Sequence, residues 1–155
     1  MRALCEQYPD AKFIQLHRRP SEVIPSMASL YASLRSGSSN TLDLEELGKS
    51  LVEEWRIGLT RVVDLRRADA KVDRNCLDID YSEMTGNPLV VVEKITEFLE
   101  LPLGSNTRSK MSEYLLSNRK GKHGSHRYNL ELFGLSEKVI DMAFKDYIES
   151  YNLNY

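Results

Sequence analysis

Apolar and polar residues alternate over Lys12 to His17 (KFIQLH), just after the turn-forming Tyr8-Pro9-Asp10, and this predicts a short strand. A helix is predicted over roughly Ser21 to Leu34, where Val23, Met27, Leu30, Tyr31 and Leu34 recur at helical spacing. Pro25 lies beyond its first turn, where a proline removes a backbone bond, so an irregular start is expected. Ser36 to Asn40 (SGSSN) reads as a polar loop. Asp43, with Glu46 three residues on, caps a predicted long helix running to about Arg67, with Leu47, Leu51, Trp55, Leu59 and Val62 on its apolar face. Cys76 to Tyr81 (CLDIDY) alternates again and predicts a second strand ending in Tyr81. Asn87-Pro88 opens a helix carrying Leu89, Val92, Ile95, Phe98 and Leu99. A shorter helix is predicted near Arg108 to Leu116. A final one starts at Ser136 and presents Val139, Ile140, Ala143, Phe144, Tyr147 and Ile148. Helices alternating with strands predict an α/β fold of short parallel strands flanked by helices, with a helix-rich C-terminal half. Two strands are few for a parallel sheet, which needs cover on both faces. With Met1 to Gln7 placed as the tail of a helix, residues 1–155 are expected to form one domain that is the C-terminal part of a larger one.

Composition narrows the classes. The chain is 41% hydrophobic and 28% charged, enough apolar residue for a packed core and too much for wholesale disorder. No apolar run approaches the roughly 18 residues of a membrane span, and MRALCEQYPD lacks the pattern of a secretory signal. Cys5 and Cys76 are too few for a disulfide scaffold or a zinc site, and they read as thiols of a reducing compartment. A cytoplasmic location is therefore expected, or a Golgi lumen if an anchor lies upstream.

The net charge of −2 argues against general nucleic-acid binding but hides an asymmetry. Ser117 to Arg127 holds Arg119, Lys120, Lys122 and Arg127 with no acid, which leaves −6 on the rest of the chain. A basic loop interrupted by Gly121 and Gly124 suits a small anionic ligand better than a long polyanion, though it also suits a solvated surface loop. A second anion-binding candidate is Leu16-His17-Arg18-Arg19-Pro20-Ser21-Glu22-Val23-Ile24-Pro25-Ser26, where a strand gives way at once to a helix. Ligands of parallel α/β sheets gather at that edge. The fork of Arg18 and the hydroxyl of Ser26 can converge there on one phosphate. The same residues also suit a surface arginine and a small packing serine. His17, His123 and His126 lack metal-ligand spacing, so no metal is expected. No nucleophile triad can be assembled, and Glu45, Glu46, Glu53 and Glu54 read as a solvated helix face.

Taken in order, YPDAKFIQLHRRPSEVIPS, then LDIDYSEM with NP and FLELP, then RKGKHGSHRY and FGL resemble the sulfotransferase superfamily. The likeness is greatest to its broad family of small-molecule and carbohydrate sulfotransferases, and it runs from residue 8 to about residue 148. It implies a P-loop-type α/β fold and the sulfate donor 3′-phosphoadenosine 5′-phosphosulfate, with adenosine 3′,5′-bisphosphate as product. By that resemblance Arg18 and Ser26 hold the donor's 3′-phosphate, Tyr81 contacts the adenine region, and Arg119, Lys120 and Gly121 embrace the 3′-phosphate. Tyr81 also suits a half-buried residue at a strand end. In the whole enzyme a hydroxyl or amine of a small-molecule, carbohydrate or lipid acceptor attacks the sulfuryl group in line.

The family's phosphosulfate-binding loop and catalytic base precede the R-x-P element by a long stretch. Only seventeen residues stand before Arg18, and none forms a glycine-rich Lys-Ser/Thr loop. Arg19 stands where relatives often carry Asp or Asn. The expectation is a chain that supplies the 3′-phosphate side of the donor site and does not transfer sulfate alone. Two other readings stay open: a kinase-like transferase of the same fold, and a non-catalytic anion-binding remnant.

Overall fold

The computed structural model describes residues 1–37, 42–118 and 129–153. They form two compact units. One comprises Met1–Arg2, Arg18–Asp73 and the C-terminal residues; the other comprises residues 3–17 and the chain from Arg74 to 118.

The first unit is helical. Helices α2 (Pro20–Ser36) and α3 (Leu44–Ala68) pack with a short 3₁₀ turn, Leu130–Phe133, and with α8 (Glu137–Ala143) and α9 (Lys145–Ser150). The short α4 (Ala70–Arg74) follows α3. Ile24 and Ala28 of α2 meet Leu47, Leu51, Val52 and Val63 of α3 in one core, with Phe133, Leu135, Ile140, Phe144, Tyr147, Ile148 and Leu153 closing it. Arg66 is buried with its charge answered: its Nε donates to Asp73 at 2.8 Å, its Nη1 to the Tyr151 hydroxyl at 3.2 Å, and its guanidinium lies 5.4 Å from that ring.

The second unit holds the sheet. Strands β1 (Phe13–His17) and β2 (Cys76–Asp80) pair in parallel, with Phe13 opposite Cys76 and His17 opposite Asp80. The helices α5 (Tyr81–Gly86) and α6 (Pro88–Phe98) pack on β2, α7 (Ser105–Ser117) packs on α6, and α1 (Arg2–Gln7) precedes β1. Lys12 closes the end of α6: its Nζ donates to the Phe98 carbonyl at 2.7 Å and pairs with Glu100, itself in the left-handed region at φ 57°.

The fold is thus mixed α/β and mostly helical, with a parallel pair of strands as expected. Several expectations need correction. The α2 helix starts at Pro20 and runs unbroken past Pro25, because the lost bond falls near the helix start and the ring itself is buried. That helix also takes in Ser36, expected to open a loop; the rest of that loop, from Ser38, lies outside the described residues. Tyr81 does not end β2 but begins α5, since the Asp80 carboxylate accepts from the Ser82 amide at 2.6 Å and starts a helix there. Asn87 makes no side-chain cap to α6. The final helix is two helices meeting at Phe144, whose ψ of 18° departs from helical geometry. The α3 stripe is buried at Leu47 and Leu51, whereas Trp55 is 36% exposed. Spacing identifies an apolar face but not whether a neighbour covers it.

Candidate functional site

Arg18 follows directly on β1, at the carboxyl end of the parallel pair. The strand's last residue, His17, is 2% exposed, and its Nε2 lies 2.8 Å from Asp78 Oδ1 on the same sheet face. Arg18 itself is half-exposed, and its Nε donates to Glu22 Oε2 at 2.9 Å. Ser26 lies one further turn along α2 and is partly buried. Glu22 and Ser26, four residues apart within α2, share one side of that helix, and Arg18, two residues before its start, reaches Glu22.

Arg19 points elsewhere. Its Nη2 donates to Asp141 Oδ2 at 2.7 Å and its Nε to Oδ1 at 3.3 Å, a forked pair that fastens the R-x-P segment to α8. The bonds from Arg19 hold the Asp141 carboxyl below its ordinary range, and the Ser21 hydroxyl adds to the effect. The arginine's own pKa is raised, chiefly by the Asp141 bond. The partner of this cation lies far along the sequence. Nothing near Arg19 in the sequence signals Asp141.

Tyr81 belongs to the other unit, half-buried at the first position of α5. Glu83, two residues on, pairs with Lys94 of α6 and ties the two helices together. Of the predicted site residues, then, Arg18 lies between β1 and α2, Ser26 within the first two turns of α2, and Tyr81 at the start of α5. Arg119, Lys120 and Gly121, with His123 and His126, lie outside the described residues. A cleft of about 370 Å³ between α6 and α7, lined by Leu89, Val92, Met111, Tyr114 and Lys110 among others, contains none of the predicted site residues. Sequence reasoning also passed over Glu22, although its spacing from Arg18 was the signal for an ion pair along a helix. Among the described residues no group of three or more His, Cys, Asp or Glu side chains is arranged to hold a metal ion. No described helix is long and apolar enough to cross a membrane.

An arginine at the end of a parallel strand and a hydroxyl in the helix that follows are groups of the kind that bind a phosphate-sized anion. Comparison with known proteins gives the chain a family. Protein-tyrosine sulfotransferase A of Caenorhabditis elegans is 25% identical over 99 residues, which is 64% of this chain and 24% of that protein. The crystal structure of sulfotransferase STF9 from Mycobacterium avium matches 99% of this chain and 39% of its own at a TM-score of 0.86 and 26% identity. The chain therefore spans well under half the length of either relative. The model of the sulfotransferase family matches residues 1–105, so strand, R-x-P segment, second strand and α6 fall inside it, and the chain belongs to the sulfotransferase family.

Proposed function

We propose that this chain supplies the 3′-phosphate side of the donor site of a sulfotransferase, as the C-terminal part of a larger domain, and that it does not transfer sulfate alone. The observation that supports the reading is the position of Arg18 directly after β1, with Ser26 within the first two turns of the helix that follows. Family membership supports 3′-phosphoadenosine 5′-phosphosulfate as donor. Bound there, that donor supplies the sulfuryl group passed to a hydroxyl or amine acceptor. Arg18 neutralises the 3′-phosphate and fixes its orientation, and Ser26 donates one further bond. By the family resemblance Tyr81 contacts the donor's adenine region, and Arg119, Lys120 and Gly121 are further ligands of its 3′-phosphate. These residues bind and orient; none moves a proton. Cys5 and Cys76, neither of them in a disulfide, support a reducing compartment such as the cytoplasm.

The test is calorimetric titration of the folded chain with adenosine 3′,5′-bisphosphate, with 5′-AMP as control. The native chain is expected to prefer the bisphosphate. Arg18→Ala should weaken bisphosphate binding about tenfold or more while changing 5′-AMP binding by less than about twofold, because only the 3′-phosphate loses its charged partner. Equal losses for both ligands would refute the assignment.

A further inference from the structure

The cleft between α6 and α7 lies wholly within the sheet-bearing unit. Its floor is apolar: Leu89 and Val92 come from α6, Met111 and Leu115 from α7, and all four are half-buried. Its rim is polar, since Lys110 and Tyr114, one turn apart on α7, are exposed. A volume of about 370 Å³ falls in the range of small-molecule pockets, which combine an apolar lining with a few polar groups. The α7 residues along the cleft run from Asn106 to Leu115, about 13 Å of helix, so the space is elongated. Arg108 Nη1 lies 2.8 Å from Glu93 Oε1 and ties α7 to α6, and neither residue lines the cleft.

Charge decides what such a space would take. Lys110 is the one charged side chain among the described residues that line it. It forms no ion pair with any described residue, Glu113 of its own helix included. A lysine at the edge of an apolar floor can lay its methylenes on that floor while its ammonium stays at the water boundary. We propose that this cleft binds a linear alkyl carboxylate, with the chain on the floor of Leu89, Val92, Met111 and Leu115 and the head at Lys110. One ammonium answers one negative charge, and the Tyr114 hydroxyl is a second donor on the same rim. A phosphate head brings more charge and more acceptor oxygens than those two groups satisfy. The elongated floor suits an extended chain better than a compact ring. None of the residues assigned to the donor takes part, so this site holds whether or not the chain binds the bisphosphate.

The experiment titrates the native chain with octanoate and follows the Met111 methyl resonance, assigned through Met111→Leu. Octanoate should bind saturably and shift that methyl. Hexanoate lacks two methylenes and should bind about four- to fifteenfold more weakly. The neutral 1-octanol and the cationic octylammonium carry the same chain and should each bind about threefold more weakly or worse. Lys110→Gln should weaken octanoate about three- to fivefold and leave 1-octanol unchanged, and Lys110→Glu should turn the preference towards octylammonium. Lys110 is exposed, so both variants are expected to keep the native thermal midpoint. Equal binding of the three head groups, or octanoate affinity unmoved in both variants, would overturn the assignment of a carboxylate to Lys110. Saturable binding that leaves the Met111 methyl in place would overturn the site, because the ligand would then lie elsewhere, as on the exposed Ile14 and Leu16 of β1. No saturable binding at millimolar octanoate would overturn the proposal outright. So would sedimentation showing a dimer that Lys110→Glu dissociates, since a second copy would then cover the cleft.

Discussion

Neighbouring arginines of the R-x-P segment do different work. Arg18 is half-exposed and pairs with Glu22 four residues on, whereas Arg19 and Asp141 form a forked pair across 122 residues, each about a quarter exposed. Because Arg19 holds the Asp141 carboxyl below its ordinary value of 3.8, the ionised form is favoured in the folded chain. A lowered carboxyl pKa contributes stability that is present above the unfolded value and is lost as pH falls through the folded one. Asp141→Asn should therefore lower stability at pH 7 by about 0.5–1 kcal/mol, discounted for partial exposure, or about 2 °C in Tm. Thermal melts at neutral pH and below the ordinary carboxyl range should show the gap between native and variant closing in acid. A gap that stays constant would mean that the pair adds no pH-dependent stability. At this scale the sequence was readable where partners are local. The R-x-P-(x)5-S spacing singled out Arg18 and Ser26 as candidates, and the four-residue step from Arg18 to its ion-pair partner Glu22 was there to be read. Asp141 was not, because only the tertiary fold brings α8 to Arg19.

Element boundaries were most legible where a side chain writes them. Asp43 accepts from the Glu46 amide at 3.0 Å and Ser136 from the Val139 amide at 3.3 Å, as their positions before apolar-periodic runs predicted. The short pieces α4, α5 and the 3₁₀ turn went unseen, since five or six residues hold too little periodicity to register. Glycines inside α3 carry a signal of a different kind. Gly48 lies against the 3₁₀ turn: an added Cβ would come within 2.4 Å of the Phe133 carbonyl oxygen and 2.9 Å of its Cβ. Gly58, in the same helix, has nothing within 4 Å of that position. Alanine gains about 1 kcal/mol over glycine in a helix interior, so Gly58→Ala should stabilise by up to that amount. Gly48→Ala gains the same propensity but must push backbone away from backbone, and overpacking of this kind costs about 1–3 kcal/mol or more. Denaturant midpoints should thus move in opposite directions for the two variants. If Gly48→Ala were as stable as the native chain, α3 and the 3₁₀ turn could not be in close contact.

Across the whole molecule, hydrophobic cover is uneven. The helical unit has a continuous core, while in the sheet unit Ile14 and Leu16 are 44% and 45% exposed on β1 although their register partners include the buried Ile79. Parallel strands are ordinarily covered on both faces, so an open apolar face accords with the proposal of a larger domain. The chemistry accords with it too. Stabilising a transferring sulfuryl group requires cationic groups preset around it, in addition to any that hold a remote phosphate. Residues 1–17 contain no glycine and one lysine, Lys12, whose ammonium is taken up by the Phe98 carbonyl and by Glu100 at 2.7 Å each. Binding energy spent on the 3′-phosphate alone tightens a complex without lowering the barrier for the sulfuryl group. The expected behaviour of this chain is therefore binding without turnover. Incubation with labelled 3′-phosphoadenosine 5′-phosphosulfate and a set of hydroxyl and amine acceptors should give no transfer above buffer, even where calorimetry shows the bisphosphate bound. Transfer by a homogeneous sample that is lost in Arg18→Ala would show that the groups acting on the sulfuryl lie within these 155 residues, and would refute the division of labour proposed for them.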